Sequence, residues 1–116
     1  MTMSDTSGDL LDPSRLADIV DGDIELEADF VDLYLRVAAE HLVEMRARLT
    51  DGRDWSGAAH ALKGASLNLG AVRVGRLAQT AEHAPPSAEC LAELSAALEA
   101  TRGAFAARTS YNHQSK

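Results

Sequence analysis

Residues 58–74 read AAHALKGASLNLGAVRV, and the fold class and the candidate site both follow from this stretch. On an α-helix, at about 100° per residue, Trp55, Ala58, Leu62, Ala65 and Leu69 gather on the side opposite His60. That side is the stripe a helix buries. Ser56, Gly57, Lys63, Gly64 and Leu67 fall within about two-thirds of a right angle of His60. His60 therefore points towards solvent, with a cation one turn on, a glycine on either flank and Leu67 exposed on the same line. A mid-helix glycine costs roughly 1 kcal/mol relative to alanine. Two of them beside one imidazole imply clearance: another macromolecule must bring a reactive group up to this ring.

Working outward, the flanking sequence punctuates into further helices. Upstream, Gly52 closes a long helix over about 24–49, capped by Asp23, with Phe30, Leu33, Tyr34, Val37, Ala38, Leu42, Met45 and Leu49 as its stripe. Asp54 is expected to cap the helix that bears His60. Before these, Asp12-Pro13 starts a short helix over about 13–21. Downstream, Gly70 marks a break, most simply for close helix packing, and a helix over about 71–83 carries Val74, Leu77, Ala78 and Ala81 at i, i+3, i+4, i+7. Pro85-Pro86 stops it, and Ser87 caps a last helix over about 88–107 with Leu91, Leu94, Leu98 and Phe105 inward. Four sizeable helices joined by short loops predict an all-α fold, an antiparallel up-down-up-down four-helix bundle with a short N-terminal capping helix. The expected organisation is a disordered leader over residues 1–10, one bundle domain over 11–108, and a flexible tail over 109–116, where His113 lies.

Length and composition narrow the function classes. At 116 residues the chain is one domain, large enough for a single core without staples. With one Trp, two Tyr and two Phe, the core must be built from Leu, Val and Ala, which suits closely packed helices. The net charge of −7 argues against nucleic acid and against an anionic membrane surface, since both are bound through Lys and Arg. No apolar run approaches the ~18 residues that a spanning helix needs. The acidic, polar MTMSDTSGD start is not a signal peptide, and the single Cys90 excludes an internal disulfide, so a cytoplasmic location is expected by elimination.

The pattern His60, Leu62-Lys63-Gly64-Ala65-Ser66, then Gly70-Ala71, Val74, Leu77 and Ala81-Glu82 resembles the histidine phosphotransfer (HPt) domain of bacterial multistep phosphorelays and two-component signalling. The upstream LDP at 11–13 and GRDW at 52–55 also fit, and the resemblance spans about residues 10–107. Val74, Gly75 and Ala81 depart from commoner residues of the pattern without removing a group the chemistry needs. The resemblance implies a phosphorelay intermediate: His60 accepts a phosphoryl group from a receiver-domain aspartate or a sensor histidine kinase and passes it to another receiver. No Gly-x-x-x-x-Gly-Lys-Ser/Thr phosphate loop occurs, so no ATP site is expected; no cofactor is expected on this chain, with Mg²⁺ on the partner receiver, and a monomer is expected because one exposed nucleophile per small bundle suffices.

The residues support the chemistry independently. A neutral imidazole nitrogen is nucleophilic near neutral pH, and phosphoryl transfer asks mainly for in-line positioning and charge stabilisation. Lys63 at i+3 is placed to stabilise the phosphoryl oxygens, and Gly64 at i+4 leaves space for them. Gly57, Leu67, Ser56, Gln79 and Glu82 are the candidate partner-facing residues. By the family register, Glu82 lies beside the phosphorylated ring; as a bare helix residue it reads equally as a solvated face. Ser66 reads as a small residue at the core edge, Arg73 and Arg76 as an outer face.

His41 falls in the apolar stripe of the long helix and reads as an interior histidine; His83 sits near a helix end. Position 38 is Ala, 57 is Gly and 80 is Thr, so no Glu-x-x-His metal motif accompanies any of these histidines, and no metal site is expected. A competing function remains, a helical interaction module that binds and sequesters a kinase or receiver with the same face and turns over no phosphate.

Overall fold

The computed structural model describes residues 10–114, with side chains described through Arg108. Five helices and no strand are found among the described residues: α1 Pro13–Val20, α2 Ile24–Asp51, α3 Ser56–Leu69, α4 Val72–Glu82 and α5 Ala88–Gln114. The fold is all-helical.

Local chemistry sets most helix ends. The Asp12 carboxylate accepts from the Ser14 amide at 3.2 Å, with Pro13 in the first turn of α1. Asp23 does the same for Leu26 at 3.0 Å, opening α2. Gly52 closes α2 at φ +69, donating to the carbonyls of the last turn. Gly70 closes α3 at φ +85. Two reasons require glycine there: the left-handed backbone, and a Cβ that would collide with the carbonyl of Asp12. The close approach is itself a bond, since the Asp12 amide donates to the Gly70 carbonyl at 2.7 Å and ties the start of α1 to the end of α3. Ser87 accepts from the Cys90 amide at 3.1 Å at the start of α5.

Helix α3 differs from expectation at its start. Trp55, not Asp54, is the N-cap residue, and it makes no side-chain cap bond. The Asp54 carboxylate instead accepts from the Ser56 hydroxyl at 2.6 Å. The end of α5 also differs: expected near residue 107, the helix continues in its backbone through Gln114, because residues 104–114 contain no glycine or proline to stop it. Residues 1–9 of the expected leader lie outside the described residues, and Leu10 is buried.

The four long helices pack as neighbours α2–α3, α3–α4, α4–α5 and α2–α5, with α1 against α2 and α3. Small residues let α3 and α4 approach closely: Ala59, Ser66, Ala71, Ala78 and Ala81 are fully buried. At Gly75 the absent Cβ makes room for the Leu67 side chain. Leu16, Met45, Trp55, Leu62, Val74 and Leu94 fill the interior, each burial of that size stabilising by roughly 1.5–3 kcal/mol.

The buried face of α2 is Glu27, Val31, Tyr34, Leu35, Ala38 and Met45. Leu33, expected inside, is 47 % exposed. The helix carries more apolar residues than one face holds, and the face that turns inward is the one aimed between α3 and α5. His41 sits on the flank of that face and is half-buried rather than interior.

Two polar contacts cross the interior. The Tyr34 and Ser66 hydroxyls are 2.7 Å apart, which makes Ser66 a fully buried partner rather than an edge residue. Burial pushes the Tyr34 phenol up to about 12, with the Ser66 bond opposing the shift. At the end of the bundle near α1, the Arg108 guanidinium grips the buried Glu27 carboxylate at 3.0 and 3.4 Å, joining α2 to α5.

Candidate functional site

His60 lies in the second turn of α3 and is 65 % exposed, as the wheel geometry requires. Its Nδ1 is 2.9 Å from Glu82 Oε2. Glu82 is the final residue of α4, and its carboxylate is only 17 % exposed. Lys63 reaches the other oxygen, with Nζ 3.2 Å from Oε1, an ion pair rather than an aligned hydrogen bond. One carboxylate from α4 therefore holds both the imidazole and the ammonium of α3.

A glutamate at a helix C-terminus opposes the helix dipole. Its neighbours nonetheless favour the anion. The Lys63 contact is the largest influence holding the Glu82 carboxyl below the usual glutamate range, burial opposes it, and the His60 bond adds to it. Glu82 is thus ionised at neutral pH and only accepts. The Nδ1 of a neutral His60 must then carry the proton, which leaves the Nε2 lone pair as the nitrogen Glu82 does not engage. The sequence suggested Glu82 as a neighbour of the ring; the structure adds which nitrogen it takes and that Lys63 shares it.

The other candidates divide. Gly57 and Gly64 are exposed, and a Cβ at either would meet nothing within 4 Å. The chain's own packing does not need these two glycines, in contrast to Gly70 and Gly75. Ser56 is half-buried with its hydroxyl on Asp54. Gln79 is exposed one turn before Glu82. Leu67 corrects the sequence reading: it is half-buried, not exposed, because its side chain lies across Gly75 of α4. His83 follows Glu82 as the residue that ends α4.

Trp55 is the residue whose contribution the wheel missed. It was legible as a core residue, and it is buried to 1 %. Its indole Nε1, however, donates across to the Ala81 carbonyl at 2.9 Å, one residue before Glu82. A lone tryptophan immediately before the histidine helix was the available signal; its hydrogen-bond partner lies 26 residues away and carries no local pattern.

Among the described residues no group of three His, Cys, Asp or Glu side chains is arranged to hold a metal ion. No helix is long and apolar enough to cross a membrane among those residues. Residues 29–104 match the family model of the Hpt domain. No curated protein gives a significant match.

Proposed function

Because this chain belongs to the Hpt domain family, whose members are phosphocarrier modules of phosphorelay signalling, we propose that His60 is its phosphoacceptor. The carrying observation is the 2.9 Å contact of Nδ1 with Glu82 on a ring that is otherwise 65 % exposed. The Nε2 lone pair attacks the phosphorus of an aspartyl phosphate on a receiver domain. The bond from phosphorus to the aspartyl oxygen breaks, and the aspartate leaves as a carboxylate. No proton has to be removed from the nucleophile, since Nδ1 carries it throughout. The ring gains positive charge as the new bond forms, and the Glu82 carboxylate stabilises it, the role an aspartate plays behind a catalytic histidine. Lys63 draws on its place beside the ring to screen the phosphoryl oxygens. Gly57 and Gly64 leave the partner an unobstructed approach; Ser56 and Gln79 border the contact.

The reverse step delivers the phosphoryl group to a second receiver aspartate, and Mg²⁺ for both steps belongs to the receiver's acidic pocket. A sensor histidine kinase is the alternative donor. In this reading the four long helices run up-down-up-down with α1 as a cap, supported by Trp55 at the start of α3 meeting Ala81 at the end of α4 and Glu27 near the start of α2 meeting Arg108 late in α5. The carrier works as a cytoplasmic monomer built over about residues 11–108.

The test is incubation of the purified chain with a phosphorylated receiver and Mg²⁺, with His60→Ala alongside. Acid-labile, base-stable phosphate on the wild type and none on the variant is expected. Binding of receivers without label would favour sequestration instead.

A further inference from the structure

We infer that Trp55 is a positioning residue for the phosphoacceptor, acting through the last turn of α4 on Glu82. The inference rests on the reading of His60 as the acceptor and adds to it a residue that touches neither the ring nor the phosphoryl group.

Glu82 stands where a helix is weakest. The last four carbonyls of a helix lack intrahelical partners, and terminal turns fray. Helix α4 is only 11 residues long and ends on Glu82 itself, with no basic residue in its last turn. A carboxylate there holds His60 and Lys63 in place only if the turn is held. The Ala81 carbonyl belongs to that turn. It accepts from the Ala84 amide at 3.2 Å and shares the His83 amide with the Thr80 carbonyl, all within the terminal turn itself. It also accepts from the Trp55 indole at 2.9 Å, in a site where Ala81 and Trp55 are buried almost completely.

Trp55 occupies the N-cap of α3 yet gives that helix no cap bond. Its polar atom is used on α4 instead. Two bonds therefore cross between α3 and α4 at adjacent α4 residues: Trp55 to Ala81 in the buried layer, and His60 to Glu82 in the exposed layer. The indole fixes the level of α4 against α3, and that level is what brings Oε2 to Nδ1. Losing the indole N–H would leave the buried carbonyl only the local amides of its own terminal turn, those of His83 and Ala84. The Glu82 turn would open more often, and His60 would lose its bias towards the Nδ1–H form.

Histidine tautomer populations, read from ¹⁵N-resolved NMR of the neutral ring, test this in a four-member cycle: wild type, Trp55→Phe, Glu82→Ala and the double variant. Trp55→Phe keeps most of the apolar volume and removes the donor. Expected is a fall in the Nδ1–H fraction in Trp55→Phe, a larger fall in Glu82→Ala, and no further fall in the double variant, because the two act in series. An unchanged tautomer in folded Trp55→Phe overturns the inference. So does an effect that persists undiminished without Glu82, which would mark Trp55 as merely structural. If Trp55→Phe does not fold, an acid titration of the wild type replaces it: the single indole N–H resonance is expected to shift with the Glu82 carboxyl, and a flat response overturns the coupling. The tautomer readout needs no phosphodonor. A wild type that takes up no phosphate would therefore sink the acceptor reading alone, and normal uptake with an unmoved tautomer would sink this one alone.

Discussion

Glu27 and Glu82 are both largely buried glutamates, 7 % and 17 % exposed in their side chains, and each clamps two helices together. Their surroundings differ in every other respect. Glu27 lies in the first turn of α2, where the helix dipole favours an anion. Its partner is the two-pronged guanidinium of Arg108. Glu82 ends α4, where the dipole opposes it, and its partners are an ammonium and an imidazole whose ring stands mostly in solvent. The first pair obeys the local rules and locks an end of the bundle. The second breaks one and engages the imidazole proposed as the phosphoacceptor. Departures from local preference concentrated at one exposed corner mark function more sharply than any residue there taken singly.

Substitutions that separate the two clamps test this contrast. The largest effect is expected from His60→Gln, which keeps a polar side chain of similar reach and removes the nucleophile: phosphate uptake is lost completely, while the melting temperature stays near that of the wild type by calorimetry. Arg108→Ala should do the opposite. It leaves Glu27 buried without its guanidinium, and a loss of about 2 kcal/mol in urea denaturation is expected, below the full cost of breaking a buried pair because Arg108 is partly exposed. Its uptake of phosphate should be unchanged at temperatures where it is folded. A stable Arg108→Ala, or one that loses uptake while folded, would break the division of labour.

Glu82→Ala should slow transfer from a phosphorylated receiver by about tenfold, equivalent to about 1.4 kcal/mol of lost transition-state stabilisation; stopped-flow quench kinetics measure it. Gly64→Ala sharpens the comparison from the other side. The added methyl meets nothing in the chain, so helix propensity should raise stability by roughly 0.5–1 kcal/mol, while receiver-dependent transfer slows. A gain in stability with no loss of rate would show that the open space at Gly64 has no partner to serve.

The smallest effect is in pH. The folded Glu82 carboxyl titrates below its ordinary value of 4.5, so its pairing stabilises the fold above that value and is lost as the pH falls through the lower, folded one. The difference in melting temperature between wild type and Glu82→Ala should therefore shrink as the pH falls below about 4.5, where the carboxyl is neutralised. A difference that grows below that value would reverse the sign and contradict the pairing.

The sequence made the helices legible because capping residues, glycines and the Pro85-Pro86 stop are local signals, and Asp12, Asp23, Gly52 and Gly70 act as their chemistry requires. Cross-helix partners were less legible. Leu33 and Val31 compete for the inside of α2 on equal hydrophobicity, and only the positions of α3 and α5 decide between them. Leu67 lies on the wheel line of His60 yet is covered by the close approach of α4 at Gly75. The last helix was ended too early in sequence because polarity was taken for a loop where residues 104–114 hold no helix breaker. At the site, His60, Lys63 and the two open glycines follow from spacing within one helix. The Glu82 contact needed the family register, and the Trp55 bond to Ala81 needed coordinates, since nothing in the spacing of two helices encodes which carbonyl an indole will reach.

The most direct test of the account is to locate the phosphoryl group on the wild-type chain after transfer from a phosphorylated, Mg²⁺-loaded receiver, by ³¹P–¹⁵N correlation on histidine-labelled protein. Phosphorus on Nε2 of His60, with the proton retained on Nδ1, is the result the Glu82 contact predicts. Phosphorus on Nδ1, or on another of the four histidines, would contradict it.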